Sequence, residues 1–151
     1  MADWGKGVWT QRPTSFERNG GGVVLFPKPL SFVQFTVHAQ GGQSYAHWLM
    51  RYVNEKNYIQ CVIDDDGFRA ERVTGDKNEL LAEKKSVPKS DWYAIQIVIG
   101  SDGARVSLQG GANEVLLGDL KSTGFAESKF GFNVPVGQQL YLARFDAQGY
   151  R

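Results

Sequence analysis

Apolar and polar residues alternate at period two almost from end to end of this chain, and the runs are broken by short clusters of Gly, Asn, Asp, Pro or Ser. A period of two places successive side chains on opposite faces of a strand, so the pattern specifies half-buried β-structure. Trp92-Tyr93-Ala94-Ile95-Gln96-Ile97-Val98-Ile99 shows it most cleanly, because β-branched and aromatic residues lose rotamer freedom in a helix and pack well on a pleated surface. Strands are predicted at about Gly7–Gln11, Gly22–Phe26, Phe32–Ala39, Ala46–Val53, Tyr58–Asp64, Phe68–Val73, Glu79–Glu83, Trp92–Ile99, Arg105–Leu108, Val115–Leu117, Phe130–Val134 and Leu140–Asp146. The segment from Gly75 to Lys85 contains good helix formers. It is short, however, and Pro88-Lys89-Ser90-Asp91 breaks it, so it reads as a hairpin strand.

The 151 residues fit one domain, large enough to bury a core without disulfides, and no repeat or linker divides them. Eighteen glycines and 13% aromatic residues suit many turns between flat, bulky strands. The fold class expected is therefore all-β, a two-sheet antiparallel sandwich of the jelly-roll kind spanning residues 1–151. Lys+Arg 17 against Asp+Glu 16 gives none of the basic excess that neutralises phosphates, so no nucleic-acid partner is expected. No stretch approaches the ~18 apolar residues of a membrane span. The N-terminus, Met1-Ala2-Asp3-Trp4-Gly5-Lys6, lacks the charged-then-apolar signal pattern. If the chain is a piece of a longer protein, an export signal in the remainder is compatible with this reading. The lone Cys61 sits in an apolar run and reads as a small buried hydrophobe.

Short turns between strands fix register, and register decides which residues share a face. Pairing Gln40 with Tyr45 puts Phe35 by Met50, Val37 by Trp48, Val33 by Tyr52, and His38 by His47. Pairing Val53 with Tyr58 across Asn54-Glu55-Lys56-Asn57 puts Tyr52 by Ile59, Met50 by Cys61, and Trp48 by Ile63. Closing Asp64 onto Gly67 adds Ile63 by Phe68 and Cys61 by Ala70. These turns predict one sheet with an apolar face of Val33, Phe35, Val37, Trp48, Met50, Tyr52, Ile59, Cys61, Ile63 and Phe68. The reverse face then carries His47, Arg51, Tyr58, Gln60, Arg69 and Glu71, with Arg51 by Gln60 and His47 by Asp64.

Trp48-Leu49-Met50-Arg51-Tyr52, Asn57-Tyr58-Ile59-Gln60, Gly67-Phe68-Arg69, Asp91-Trp92-Tyr93, Asp102-Gly103 and Lys129-Phe130-Gly131-Phe132 follow one another in an order that resembles concanavalin A-like jelly rolls of the laminin-G type. The pattern is most similar to the bacterial domains grouped with 3-keto-disaccharide hydrolases, over roughly residues 32–146. The resemblance implies a sandwich whose sheet or rim binds glycans or proteins. It does not carry a catalytic set, because the glucanase Glu-x-Asp-x-x-Glu strand has no counterpart here.

The reverse face is the candidate ligand site. Planar donors and acceptors on His47, Arg51, Gln60, Arg69 and Glu71 suit sugar hydroxyls, and the Tyr58 ring suits a sugar's C–H face. The bland alternative is a solvated sheet in which Glu71 pairs with Arg51 or Arg69. Asp64-Asp65-Asp66-Gly67 reads as a hairpin turn with solvated carboxylates, with a rim Ca²⁺ site as the alternative; its spacing is not that of an EF-hand. His38, His47 and Asp64 have the composition of a metal site, and Asp64 with Glu71 is the available carboxylate pair for glycoside hydrolysis. Neither is adopted: no catalytic residue, metal or cofactor is expected. Trp4 and Trp9 read as edge packing. The leading expectation is a non-catalytic module for carbohydrate. The alternatives are a glycoside-processing hydrolase or its ancillary domain, and a protein–protein interaction domain.

Overall fold

A computed structural model describes residues 9–41, 44–110, 113–121 and 129–149. Trp4 and the first residues of the predicted Gly7–Gln11 strand lie outside them. The described residues form thirteen strands and no helix, so no helix is long and apolar enough to cross a membrane. In chain order the strands are β1 (Thr10–Gln11), β2 (Phe16–Asn19), β3 (Gly22–Leu25), β4 (Leu30–Gln40), β5 (Ser44–Asn54), β6 (Asn57–Asp64), β7 (Gly67–Thr74), β8 (Lys77–Lys84), β9 (Tyr93–Gly100), β10 (Gly103–Gly110), β11 (Asn113–Lys121), β12 (Lys129–Val134) and β13 (Gln139–Gly149). They assemble into a seven-stranded sheet, β1-β2-β13-β4-β9-β10-β11, and a six-stranded sheet, β3-β12-β5-β6-β7-β8. All their pairings are antiparallel. The fold is thus the expected two-sheet jelly-roll sandwich. The segment read as a hairpin strand rather than a helix is β8. The short β2 was missed, because Phe-Glu-Arg-Asn offers a single apolar residue to the period.

The core follows the alternation. Val33, Phe35 and Val37 of β4, Ile95 and Ile97 of β9, and Trp48, Met50, Ile59, Cys61, Ile63 and Phe68 of the other sheet are all buried. Phe35 is the junction. Its ring lies 5.6 Å from Trp48, 5.5 Å from Phe130 and 5.3 Å from Phe132, so one side chain of the seven-stranded sheet contacts two strands of the six-stranded one. Trp9 packs edge-on against Phe132 at 6.0 Å, in keeping with the edge-packing reading. Cys61 is completely buried, and that burial pushes its thiol pKa far up, so it packs as a hydrophobe and is not a thiolate.

The register corrects one expectation in kind and another in detail. β4 and β5 are not hairpin partners. β4 pairs with β13 and β9 in one sheet, whereas β5 pairs with β6 and β12 in the other. The connection after Gln40 therefore crosses between sheets. Phe35 meets Trp48 edge-on across the core, not side by side within a sheet. Both strands alternate with the same inward set either way, so the inward residues of β4 were read correctly from a wrong pairing.

The β5–β6 hairpin exists, but its register differs from the predicted one by two residues. Trp48 lies opposite Cys61 and Met50 opposite Ile59, while Asn54 remains opposite Asn57. Arg51, Tyr52 and Val53 thus stand against the single Tyr58 in a bulge, with Arg51 at a φ of +49°. A shift of two preserves the facing of the strand, because side chains repeat with period two. The β6–β7 hairpin has the predicted register throughout, closed by Asp64 opposite Gly67. Gly67 has a φ of +106°, and a Cβ there would lie 2.2 Å from the Lys84 carbonyl oxygen, so only glycine fits.

Candidate functional site

The outer face of β5, β6 and β7 brings most of the predicted site residues together, but with different neighbours. Gln60 stands opposite Glu71 and Val62 opposite Arg69, as expected. His47 stands opposite Val62 and not beside Asp64, and Leu49 takes the place expected for Arg51 opposite Gln60. Arg51 sits in the bulge and donates from Nη1 to Asn57 Oδ1 at 3.0 Å. That bond ties the guanidinium to the first residue of β6 at the hairpin end. The same bulge removes Tyr52 from the core set. Tyr52 is half-buried and stacks on Tyr58 with ring centroids 5.7 Å apart and planes 24° from parallel.

The charges on this face pair with one another. Arg69 Nη2 lies 3.0 Å from Asp64 Oδ2, and its Nε lies 3.7 Å from Glu71 Oε1, so one guanidinium bridges both carboxylates. Asn78 Nδ2 also donates to Glu71 Oε2 at 3.3 Å. The two acids available for glycoside hydrolysis are thus the two that Arg69 holds. Leu49 is buried on this outer face beside Gly131, over which Leu25 folds. A Cβ at Gly131 would lie 2.2 Å from the Val24 carbonyl oxygen, so this glycine permits the close approach of β3. His47 is half-buried, its Nε2 has no hydrogen-bond partner, and burial lowers its pKa below the ordinary 6.5, which keeps the imidazole neutral at neutral pH.

The acidic turn is built from local contacts. Asp64 Oδ1 accepts from the Asp66 backbone N–H at 2.9 Å, the side-chain-to-backbone bond of an Asx turn. Asp65 accepts from the Tyr45 hydroxyl and pairs with Lys89 Nζ at 3.3 Å. These partners hold the Asp65 carboxyl below its ordinary pKa, the Tyr45 hydrogen bond most of all. His38 belongs to the other sheet, so the set His38, His47 and Asp64 is not assembled. Among the described residues no three His, Cys, Asp or Glu side chains are grouped to hold a metal ion.

The outer face of the seven-stranded sheet gathers residues that the sequence did not bring together. The His38 ring lies 5.4 Å from Trp92 and 6.0 Å from Tyr141, forming a row of three rings across the sheet. The Asp91 carbonyl can only accept, so His38 Nδ1 carries the proton that it donates there, and Nε2 accepts from the Gln40 amide at 3.0 Å. Opposite Tyr141 on β2, Glu17 is buried. It accepts from Arg12 Nε at 2.8 Å and from Asn19 Nδ2 at 2.6 Å. The Arg12 and Asn19 hydrogen bonds hold the Glu17 carboxyl below its ordinary pKa. The signal available in the sequence was weak: Trp92 only opens the predicted Trp92–Ile99 strand, and Glu17 and Tyr141 become neighbours only through a pairing of distant strands.

No family model matches the chain, and no curated protein matches it. Solved structures do. The carbohydrate-binding module CBM66 from Bacillus subtilis aligns with 95% of this chain and 92% of its own, at 15% identity and a TM-score of 0.67. The GH43 protein BlXynB from Bacillus licheniformis aligns with 94% of this chain at 12% identity and a TM-score of 0.68, and the Bacteroides ovatus xyloglucan PUL protein GH43B aligns with 97% at 12% identity and 0.64. This chain spans about a third of those two longer chains, 34% and 35% respectively. At such identities the likeness establishes the sandwich fold that the strand order had already revealed.

Proposed function

We propose that the chain is a carbohydrate-recognition module whose ligand lies on the outer face of the six-stranded sheet. The observation that carries this reading is the stacked, half-buried Tyr52–Tyr58 pair, whose Tyr58 is on the same strand as the planar amide of Gln60. Aromatic rings supply a flat apolar surface for the C–H face of a sugar, and amides and guanidinium groups supply hydrogen bonds in the ring plane. The bulge at Arg51 builds the platform by bringing Tyr52 beside Tyr58. Gln60, Arg69 and Glu71 line its polar side, with His47 farther along β5. The likeness to a carbohydrate-binding module supports the same ligand class.

A second reading, an ancillary domain of a glycoside-processing enzyme, is favoured by one observation: this chain corresponds to about a third of each longer GH43 chain it resembles. The two readings share the face and differ in what is attached to it. Polysaccharide affinity electrophoresis and a glycan array test the face directly. The Tyr52→Ala, Tyr58→Ala double variant is expected to bind at least tenfold more weakly than the wild type, the equivalent of ~1.4 kcal/mol. Undiminished binding by a folded double variant excludes this face.

A further inference from the structure

A second feature of the seven-stranded sheet is independent of that face. Next to Trp92 is a cleft of about 220 Å³ lined by residues including Pro88, Ser90, Trp92, Ala94, Leu108 and Gln109. Among the described residues, none that lines it carries a charge. Trp92 is 38% exposed at its rim, and one side of the indole is buttressed by His38, which is itself held at both ring nitrogens. The Pro88–Ser90 segment of the lining is also tied down. Tyr93 Oη accepts the Ser90 backbone N–H at 3.1 Å and donates to the Pro88 carbonyl at 3.2 Å.

The lining holds one unmet demand. Gln109 Nε2 is buried with no hydrogen-bond partner. Buried polar groups are nearly always paired, and an orphaned donor costs the desolvation that a partner would repay. A turn of the partly exposed Gln109 side chain toward the cleft presents this donor to an acceptor oxygen of a ligand, which meets that demand. The absence of charge in the lining selects a neutral ligand, and the indole and aliphatic walls select one with an apolar face. The volume is below the roughly 300–1,000 Å³ of sites for drug-sized ligands and suits a single ring.

We propose that this cleft is a subsite for one neutral sugar residue, stacked on Trp92 and hydrogen-bonded by Gln109 Nε2–H. It shares the ligand class of the reading above and none of its residues, so the two stand or fall separately. Walls fixed before binding lower the ordering cost, which suits a site for a small ligand.

The test is a titration of the ¹⁵N-labelled protein with free glucose, galactose, mannose, fructose and xylose into the millimolar range. The Trp92 indole and Gln109 side-chain amide resonances are expected to move along a saturable curve with at least one of these sugars. Gln109→Leu is expected to weaken that binding at least tenfold while leaving the melting temperature unchanged or raised, because it removes a buried unpaired donor. Trp92→Ala is expected to abolish the binding, and Tyr52→Ala, Tyr58→Ala to leave it intact. No saturable shift with any of the five sugars, or full affinity in Gln109→Leu, overturns the subsite. Loss of polysaccharide binding through the tyrosines alone leaves the outer-face reading standing without the cleft, and the reverse pattern leaves the cleft standing without that face.

Discussion

On the six-stranded sheet the outward charges are already engaged with each other, Arg69 with Asp64 and Glu71, and the rings stack in a pair, Tyr52 on Tyr58. On the seven-stranded sheet the outward carboxylate Glu17 is sunk against Arg12 and Asn19. Beside the exposed Arg144–Asp146 pair, that sheet presents uncharged groups: the row of His38, Trp92 and Tyr141, and a cleft whose Gln109 donor has no partner. The two faces arise from the same period-two alternation. Their difference shows that polar residues on a sheet divide into those that satisfy one another across strands and those that leave bonding capacity for something else. A ladder of ion pairs stabilises little in water, and its members must break contacts before they can bind a ligand. A fixed ring beside an orphaned amide has no such contacts to lose.

Both faces cover one core with Phe35 at its junction, so Phe35→Ala carries the largest expected effect. Replacing a buried aromatic ring typically costs about 3–5 kcal/mol. Urea denaturation followed by near-ultraviolet and far-ultraviolet signals should show one earlier, coincident transition. Two separated transitions would mean that the sheets hold together independently and that their outer faces cannot be compared as parts of one unit.

Glu17→Gln sharpens the contrast between a sunk carboxylate and a solvated one. The folded state holds Glu17 below its ordinary value of 4.5, so the carboxylate's contribution is fully present above pH 4.5 and is lost as pH falls through the lower folded value. The wild type is therefore expected to lose melting temperature faster than Glu17→Gln below pH 4.5. Parallel curves for the two proteins would show that the carboxylate contributes nothing specific to the fold.

Arg69→Met addresses the paired face and carries the smallest expected effect. A partly exposed ion-pair bridge contributes about 1 kcal/mol or less, and the contribution falls with added salt. Thermal unfolding at low and high ionic strength measures it. A loss well above that figure would make the Asp64–Arg69–Glu71 bridge a structural brace and remove Arg69 from the ligand site.

Particular residues show how far the sequence could be read. The β6–β7 hairpin was legible in full, because a two-residue turn ending in Gly67 leaves a single register. β5–β6 was legible as a hairpin but not in register, since nothing local announces that Arg51 adopts a left-handed φ and bulges the strand. That bulge decides where Tyr52 lies, and so whether Tyr58 has a stacking partner. The pairing of β4 with β5 was misread, because Gly41-Gly42-Gln43-Ser44 has the composition of a hairpin turn while β4 and β5 belong to different sheets. Of the predicted site, Gln60, Arg69 and Glu71 stand where expected, Tyr58 gained a neighbour, and Arg51 and His47 have other partners.

Alternation alone determined that the chain is all-β and that Phe35, Trp48, Met50, Ile59, Cys61, Ile63 and Phe68 turn inward, because side-chain facing is a local property of each strand. Which strands lie side by side, and hence which outward residues meet, was decided only by the tertiary structure. Both sheets present their inner faces to the same core, so inward facing does not identify the sheet. Bringing Tyr141 beside Glu17 and His38, or Gln109 into a cleft with Trp92, depends on contacts between distant strands, whose energies exist only once the sandwich has closed.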